Sequence, residues 1–583
     1  MKMSPNFNPL WSSLIVEELV RNGANHFCLA SGSRSTPLIM AVARHLQAKK
    51  TLHFDERGAS FHALGYGRAT GLPAVVVTTS GTALANAWPA VVEASLDHVP
   101  LIILSADRPP ELRDSGANQT IDPVKFFGDY VRWQTDIPPA DEKILPEFLL
   151  TTIDQAFYRT QSSPRGPVHL NIMFREPLIT ERPKKEPRSY LSNIASWRES
   201  RKPFTSYKPP FRTLAQEELK ELASILNSTE QGLILAGTLS NERDRKTVNE
   251  LAKSLQWPLL PDITSGLRLG NTNSCRIPYY DAILSSKDFL LHPKVVLHVG
   301  GRVISKSLLR YLEQQHLSHY ILINNHPYRQ DPIHRLTMRI ETDLSDLISS
   351  LKSYISPKPH PSRWSMEWKK RVEPIERLLE KNLLRSGKIS EPGAARSISK
   401  LIPKDHGLFL ANSLPIREFD LFASLEGSPV PIAANRGASG IDGTLASATG
   451  FAQGLKRPVT AVLGDLALLH DLNSLALARS SETPIIIIVF NNNGGGIFSF
   501  LPVAQFKEVF EKYFGTPHHL TFESAANLFG LGYEAPNSME QFAEVYQKAC
   551  QNKKTTLIEI KTDRQENYRL HQQLLRFSAS KNI

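Results

Sequence analysis

Two segments of this sequence pair oxygen-bearing side chains with glycines at the spacing a metal and phosphate site needs. The run Thr460-Ala-Val-Leu ends in Gly464-Asp465, and the run Ile485-Ile-Ile-Ile-Val-Phe ends in Asn491-Asn492-Asn493-Gly494-Gly495-Gly496. Between them Leu466, Leu469, Leu472, Leu475 and Leu477 recur at helical spacing, so the stretch reads strand, helix, strand. Asp465 and Asn492 then lie just past the C-terminal ends of two parallel strands, the edge where open α/β sheets bind ligands. A carboxylate and an amide carbonyl are hard oxygen ligands, suited to Mg²⁺ (or Mn²⁺) rather than zinc. The glycines let backbone carbonyls and amides approach a metal and phosphates closely. Taken alone, the same residues also read as a helix N-cap followed by a plain turn.

A second constellation lies near the N-terminus. Leu52-His-Phe-Asp-Glu-Arg-Gly-Ala-Ser-Phe-His-Ala-Leu-Gly-Tyr predicts a short strand running into a helix, with Glu56 at the junction. A first-turn glutamate is also what a helix dipole favours, so Glu56 alone decides nothing. The next block, Val75-Val-Val-Thr-Thr-Ser-Gly-Thr-Ala, predicts a strand and then a small-residue turn, Ser80-Gly81-Thr82, that opens a helix.

The elements that must position these residues alternate, β then α, throughout the chain, the pattern of parallel sheets. The predicted strands of the first third are Phe27–Ala30, Leu52–Phe54, Ala74–Thr78, Leu101–Ser105 and Val168–Ile172. Those of the middle are Leu233–Ala236, Val295–Val299 and Tyr320–Ile323; those of the last third are Leu408–Ala411, Val430–Ala433, Thr460–Val462, Ile485–Phe490 and Thr556–Ile560. Pro-rich stretches at Glu181–Pro210 and Tyr354–Pro361 read as linkers, and Trp364 to Leu384 as a charged helical stretch. The fold class is therefore α/β, with three α/β domains built on parallel sheets at 1–185, 211–355 and 385–571. A chain of 583 residues needs more than one core. No short-period repeat is visible, so any kinship of the first and third domains is structural.

Taken together, these motifs resemble those of thiamine-diphosphate enzymes, in which Gly-Asp is followed some two dozen residues later by Asn-Asn. More narrowly, the sequence resembles the 2-succinyl-5-enolpyruvyl-6-hydroxy-3-cyclohexene-1-carboxylate synthase family of menaquinone biosynthesis. Carrying that resemblance are Ser31-Gly-Ser-Arg-Ser-Thr-Pro-Leu, Ser105-Ala-Asp-Arg-Pro-Pro-Glu-Leu, Gly116-Ala-Asn-Gln-Thr-Ile, Ser305-Lys306, Asn412-Ser-Leu-Pro-Ile-Arg, Asn435-Arg-Gly-Ala-Ser-Gly-Ile-Asp-Gly and Asn491-Asn-Asn-Gly-Gly-Gly-Ile-Phe. They span residues 31 to 498, in the family's order.

The resemblance implies a transferase of aldehyde or ketone groups that uses thiamine diphosphate with Mg²⁺ or Mn²⁺. It would decarboxylate 2-oxoglutarate and add the succinyl carbanion equivalent to isochorismate in a 1,4 fashion. By the same resemblance, Asp465, the Asn492 side chain and the Gly494 carbonyl hold the metal. Glu56 hydrogen-bonds the aminopyrimidine and so must be buried against it, Ser80-Gly81-Thr82 border that ring, and Gly440 and Ile441 lie on the cofactor, Ile441 propping it in a bent shape. Both substrates are dicarboxylates, and arginine grips carboxylates with a planar fork. The implied anion-binding set is Arg34, Arg108, Arg417, Arg436 and Lys306, with Ser33, Asn118, Gln119 and Ser413 as neutral donors. Ser413, Arg417 and Arg436 are expected near the succinyl group, and Arg34, Asn118, Gln119 and Lys306 near isochorismate. Ser413 and Arg417 join Glu56 as the expected catalytic group, and Ile497 and Phe498 as the apolar wall. Lys306 is also placed where it could simply start a helix. Two departures stand out: Ala467 where serine is common, and Gly496 where glutamine is common.

A net charge of +11 suits anionic substrates; without a basic arm it does not point to nucleic acid. The basic clusters are short, as at Arg182–Arg188 and Lys369–Arg371. The longest purely apolar run, Ile485–Phe490, is too short to span a bilayer. Three scattered cysteines, Cys28, Cys275 and Cys550, with no secretory leader pattern, suggest reduced thiols in the cytoplasm. In enzymes of this resemblance the two ends of the cofactor are held by different chains, so a homodimer or dimer of dimers with active sites at the subunit interface is expected. The rival expectations are an acetolactate-synthase-like carboligase, against which the lack of a Gly-x-Gly-x-x-Gly flavin fingerprint counts, and a catalytically silent binding protein on the same fold.

Overall fold

The structure, a computed structural model, describes residues 6–179, 188–210, 212–239, 241–270, 273–286, 289–384 and 387–578. Most of the basic cluster at Arg182–Arg188 and the start of the first expected linker lie outside the described residues. The chain forms two compact units: Met1–Pro210 with Asn435–Lys456 and His470–Thr483, and Phe211–Ala434 with Arg457–Leu469 and Pro484–Ile583.

The first unit is built on a six-stranded sheet: β1 (His26–Leu29), β2 (Lys49–Leu52), β3 (Ala74–Thr78), β4 (Leu101–Asp107), β5 (Trp133–Ile137) and β6 (Pro167–Met173). Its strand order is β2-β1-β3-β4-β6-β5, and its pairings are parallel. Successive side chains of a strand face opposite sides, and the two faces are covered separately. Phe27, Leu29, Val75, Val77, Ile102 and Leu104 pack into one core, and Cys28, Val76, Leu101 and Ile103 into another. On the second face the helices Glu56–Thr70 and Thr444–Leu455 cross at glycines. A Cβ on Gly65 would stand 1.9 Å from the Ser447 carbonyl oxygen, and one on Gly450 1.8 Å from that of His62.

Residues 188–210 are not the featureless linker expected. Leu191, Ile194 and Trp197 are buried in the first unit's core, with a helix at Ala195–Glu199. Glu18 pins them, accepting from Trp197 Nε1 (2.6 Å) and the Phe204 amide (2.5 Å). The Pro and charge content hid an apolar triplet that packs at tertiary level.

The second unit carries two sheets. The middle one contains β7 (Gly232–Ala236), β8 (Leu259–Pro261), β9 (Val295–Val299), β10 (His319–Asn324) and β11 (Met338–Glu341), ordered β11-β10-β9-β7-β8. The other contains β12 (Gly407–Leu410), β13 (Ile432–Ala434), β14 (Val459–Gly464), β15 (Ile485–Asn491), β16 (Gly532–Glu534) and β17 (Thr556–Lys561), ordered β13-β12-β14-β15-β17-β16. Counted from its own first strand, this order is the same as that of the first sheet, so those two sheets share a topology that the sequence does not display as a repeat. The expected helical stretch from Trp364 is present as Arg363–Lys370, Val372–Leu379 and a wider turn at Glu380–Leu384.

Candidate functional site

In both six-stranded sheets the order reverses direction between the first and third strands, the point where open α/β sheets form a ligand crevice. The sequence-selected residues fall on the C-terminal edges around these points. In the first unit, Ser33 and Arg34 follow β1, Glu56 follows β2, Ser80–Thr82 follow β3 and Arg108 follows β4. In the second unit, Ser413 follows β12, Asp465 follows β14 and Asn492 follows β15.

Glu56 opens the helix Glu56–Thr70, whose N-cap Asp55 accepts from the Arg57 and Gly58 amides. One carboxylate oxygen, Oε2, accepts from Asn86 Nδ2 at 3.1 Å. The expectation that Glu56 is buried is not met within this chain: it is half-buried, in a first turn that follows the exposed Phe54. Ser80 is buried and its hydroxyl has no hydrogen-bond partner, as is true of the neighbouring Thr79. Gly81 has φ +81°, and Gln119 Nε2 donates to the Ser80 carbonyl at 3.0 Å, so the Gln119 and Ser80 segments meet. Asn118 and Ser33 are exposed. Arg34 is buried at 6% exposure; Nη1 donates to the Phe174 carbonyl (2.8 Å) and Nη2 pairs with Glu176 (3.1 Å). Arg108 Nε is buried without a partner.

The Asn435-Arg-Gly-Ala-Ser-Gly-Ile run belongs to the same unit. Buried Glu93 accepts from the Gly437 amide (2.8 Å) and the Ala438 amide (2.7 Å), and Arg68 reaches both Glu93 (3.3 Å) and Asn435 Oδ1 (3.4 Å). Burial first, then the nearby Asp97, pushes the Glu93 carboxyl up, against the pull of Arg68 and the two amides. Ile441 is half-buried, not a core isoleucine, and Arg436 and Gly440 are half-buried too.

In the second unit Asp465 is 1% exposed and Asn492 6%. β14 and β15 pair in parallel with Gly464 opposite Phe490, which brings the two side chains to adjacent strand ends. Asp465 Oδ1 accepts from the Leu466 amide (2.7 Å), and Oδ2 from the Gly494 amide (2.8 Å). Gly494 has φ +129°, and a Cβ there would lie 1.8 Å from the Gly515 carbonyl oxygen, so only glycine fits. Asn492 Oδ1 is buried with no partner. Ser413 takes φ +69° and ψ −127°, a sparsely populated conformation for an L residue, and Arg417 Nη1 donates to its carbonyl. Ile497 and Phe498 are half-buried, and Phe498 meets Phe514 edge-on at 5.5 Å. Lys306 lies beside the middle sheet, exposed, and Ser305 caps its helix by accepting from the Leu308 amide (2.9 Å). The structure thus gives Ser305-Lys306 the helix-starting role that the sequence left open.

Three family profiles match the chain: a thiamine pyrophosphate enzyme N-terminal TPP-binding domain over residues 11–126, a middle domain over 188–410 and a C-terminal TPP-binding domain over 431–560. A protein of Rubrobacter xylanophilus named 2-succinyl-5-enolpyruvyl-6-hydroxy-3-cyclohexene-1-carboxylate synthase is 48% identical over 99% of both chains. Proteins of the same name from Salinibacter ruber and Prosthecochloris aestuarii are each 44% identical, over 98% and 97% of this chain and 96% of theirs. The chain belongs to this synthase family. Its α/β architecture of three parallel sheets is that of thiamine-diphosphate enzymes.

A divalent metal fits the residues present. Asn492 Oδ1 is a buried acceptor with nothing to accept, Asp465 supplies a buried carboxylate beside it in the same β-α-β unit, and the Gly494 backbone is held close by a contact no side chain would permit. All are hard oxygen groups. Sequence reasoning missed Asn86, Glu93, Glu391 and His518, each a polar residue outside any motif. Only their tertiary contacts distinguish them. Among the described residues no helix is long and apolar enough to cross a membrane.

Proposed function

We propose that this synthase decarboxylates 2-oxoglutarate and adds the succinyl carbanion equivalent to isochorismate, giving 2-succinyl-5-enolpyruvyl-6-hydroxy-3-cyclohexene-1-carboxylate for menaquinone or phylloquinone. The observation that carries it is kinship of 48% identity along 99% of a protein with that name. These relatives do not favour the acetolactate-synthase-like alternative. Bound thiamine diphosphate supplies an electron sink for the carbanion left when CO₂ departs.

The chain's own residues do the rest. Asp465, Asn492 Oδ1 and the Gly494 carbonyl would hold Mg²⁺ or Mn²⁺. Glu56 holds a proton at the pyrimidine ring nitrogen, a placement supported by its position after β2, on the same C-terminal sheet edge that carries the Ser80-Gly81-Thr82 turn after β3. Ile441 and Gly440 would lie on the cofactor, Ile441 as the bulky side chain that props it. Arg417, Arg436 and Ser413 bind the succinyl carboxylate, Arg34, Asn118, Gln119 and Lys306 serve isochorismate, and Arg108 and Ser33 complete the set of substrate-binding donors. Ile497 and Phe498 keep water from the reacting carbon.

In this reading the domains run 1–185, with residues 188–210 docked on its core, 211–355 and 385–571; the enzyme is cytoplasmic, consistent with its unpaired cysteines, and it works as a homodimer or dimer of dimers. Glu56 of one subunit then serves cofactor held by Asp465 of the other. Mixing inactive Glu56→Gln and Asp465→Ala proteins restores turnover if sites are shared between chains, and never does if each chain is complete.

The activity itself is tested by combining the protein with thiamine diphosphate, Mg²⁺, 2-oxoglutarate and isochorismate and following the loss of isochorismate absorbance, with pyruvate as the control keto acid. Cofactor binding without any loss of isochorismate rejects the reaction. Glu56→Gln is expected to abolish turnover while thiamine diphosphate still binds, as read by titration calorimetry.

A further inference from the structure

Each of the two side chains proposed to hold the metal is itself gripped by a second residue from a distant part of the chain. Asn492 donates from Nδ2 to Glu391 Oε1 at 3.0 Å. Glu391 opens the helix Glu391–Leu401, is 0% exposed, and its Oε1 also accepts from Thr562 Oγ1 at 2.9 Å. A carboxamide has one donor end and one acceptor end. Fixing the donor end on the Glu391 oxygen aims the acceptor end away from it, and that acceptor, Oδ1, is the buried atom without a partner.

Asp465 is gripped as well. Its Oδ2 meets His518 Nε2 at 3.1 Å. The other ring nitrogen is already taken: His518 Nδ1 accepts from the Leu520 amide at 3.0 Å, which leaves Nε2 as the donor to Asp465. The backbone around His518 is tied to the asparagine run, since Asn493 Oδ1 accepts from the amides of His518 (3.0 Å) and His519 (2.8 Å). Gly495 donates to the Gly515 carbonyl at 2.8 Å, closing the same strap onto the same loop.

We infer that Glu391 and His518 are positioning residues that set the orientation of the metal ligands, Glu391 by fixing the Asn492 amide and His518 by fixing the Asp465 carboxylate. The inference rests on the proposed metal-holding role of Asp465 and Asn492. Groups behind a ligand commonly change metal affinity by about 10–100-fold when removed, because an unheld ligand must be ordered by the metal itself.

The test titrates Mn²⁺ into the full-length apoprotein with thiamine diphosphate present and reads free Mn²⁺ by electron paramagnetic resonance. Glu391→Leu and His518→Phe are expected to bind Mn²⁺ about 10–100-fold more weakly, with turnover largely restored at saturating metal. Glu391→Gln keeps an acceptor for Asn492, and His518→Gln keeps a donor for Asp465; both are expected to recover most of the affinity. Wild-type affinity in Glu391→Leu and His518→Phe, while Asp465→Ala and Asn492→Ala bind no metal, overturns the positioning role and leaves the metal site standing. Equal weakening in the conservative pair also overturns it. Normal Mn²⁺ binding by Asp465→Ala and Asn492→Ala removes the metal-site reading and the inference with it. Should Glu391→Leu fail to fold, His518→Phe, nearer the surface, carries the test.

Discussion

Replacing Glu93 by alanine should loosen the loop that carries Arg436 and Ile441 without touching either residue. Glu93 lies in the helix Trp88–Leu96 at 2% exposure, and its two oxygens accept from the Gly437 and Ala438 amides at 2.8 and 2.7 Å. Truncation takes the acceptor from both amides. Each buried donor left without an acceptor costs about 1–3 kcal/mol. Arg68 keeps Asp97 and Asn435, so it adds little. Ala438 is exposed, and water can reach its amide. The working figure is therefore about 2 kcal/mol, mostly from the buried Gly437 side. Glu93→Gln keeps one acceptor and turns an amide nitrogen toward the other donor, so about half that loss is expected. The assay is urea unfolding monitored in the first unit, together with the KM for 2-oxoglutarate, which should rise as Arg436 loses its fixed position. An unchanged unfolding midpoint with an unchanged KM in Glu93→Ala would refute the idea that this carboxylate shapes the loop.

Gly450→Ala drives a Cβ to 1.8 Å from the His62 carbonyl oxygen and 2.9 Å from the Tyr66 amide nitrogen. Because both are backbone atoms, the cost should exceed the roughly 1–3 kcal/mol usual for overpacking, and loss of the near-ultraviolet circular dichroism of the folded protein checks it. Asp471 is fully buried, and desolvation pushes its carboxyl up to about 6 against the Ala446 amide and Ser474 hydroxyl that it accepts from. A raised carboxyl contributes stability that is complete below its unfolded value near 4 and is lost as pH rises through about 6. Asp471→Asn should flatten this segment of the unfolding midpoint against pH, and a profile identical to wild type would count against the burial argument. Gly496→Ala places a Cβ 2.6 Å from Asn492 Nδ2. Displacing that amide should raise the Mg²⁺ concentration for half-maximal activity by roughly tenfold, and an unchanged Mg²⁺ titration would show that the loop yields instead.

Interior strands were legible in the sequence almost residue for residue: Ala74–Thr78 and Val295–Val299 match β3 and β9 in full, and Ile485–Phe490 falls one residue short of β15. Edge strands were not. β5, β8, β11 and β16 went unforeseen, and the strands expected at Leu52–Phe54 and Val430–Ala433 stand instead at Lys49–Leu52 and Ile432–Ala434; all six lie at sheet edges. An interior strand is covered on both faces and must be apolar throughout, whereas β2 at Lys49-Lys-Thr-Leu and β16 at Gly-Tyr-Glu are largely open to water and need no such run.

What the sequence determined alone was local. Apolar period set the interior strands, and the Gly-Asp and Asn-Asn-Asn-Gly motifs set which loops carry oxygen-bearing side chains at strand ends. The tertiary structure decided which unit the segments 435–456 and 470–483 pack into, that residues 188–210 dock by Trp197, and which atoms find partners. The reason is physical. A strand's apolar period is written within a few residues, but Glu391 meets Asn492 and Glu93 meets Gly437 across 101 and 344 positions of chain. Nothing in their own neighbourhoods marks them until folding brings the segments within hydrogen-bond reach.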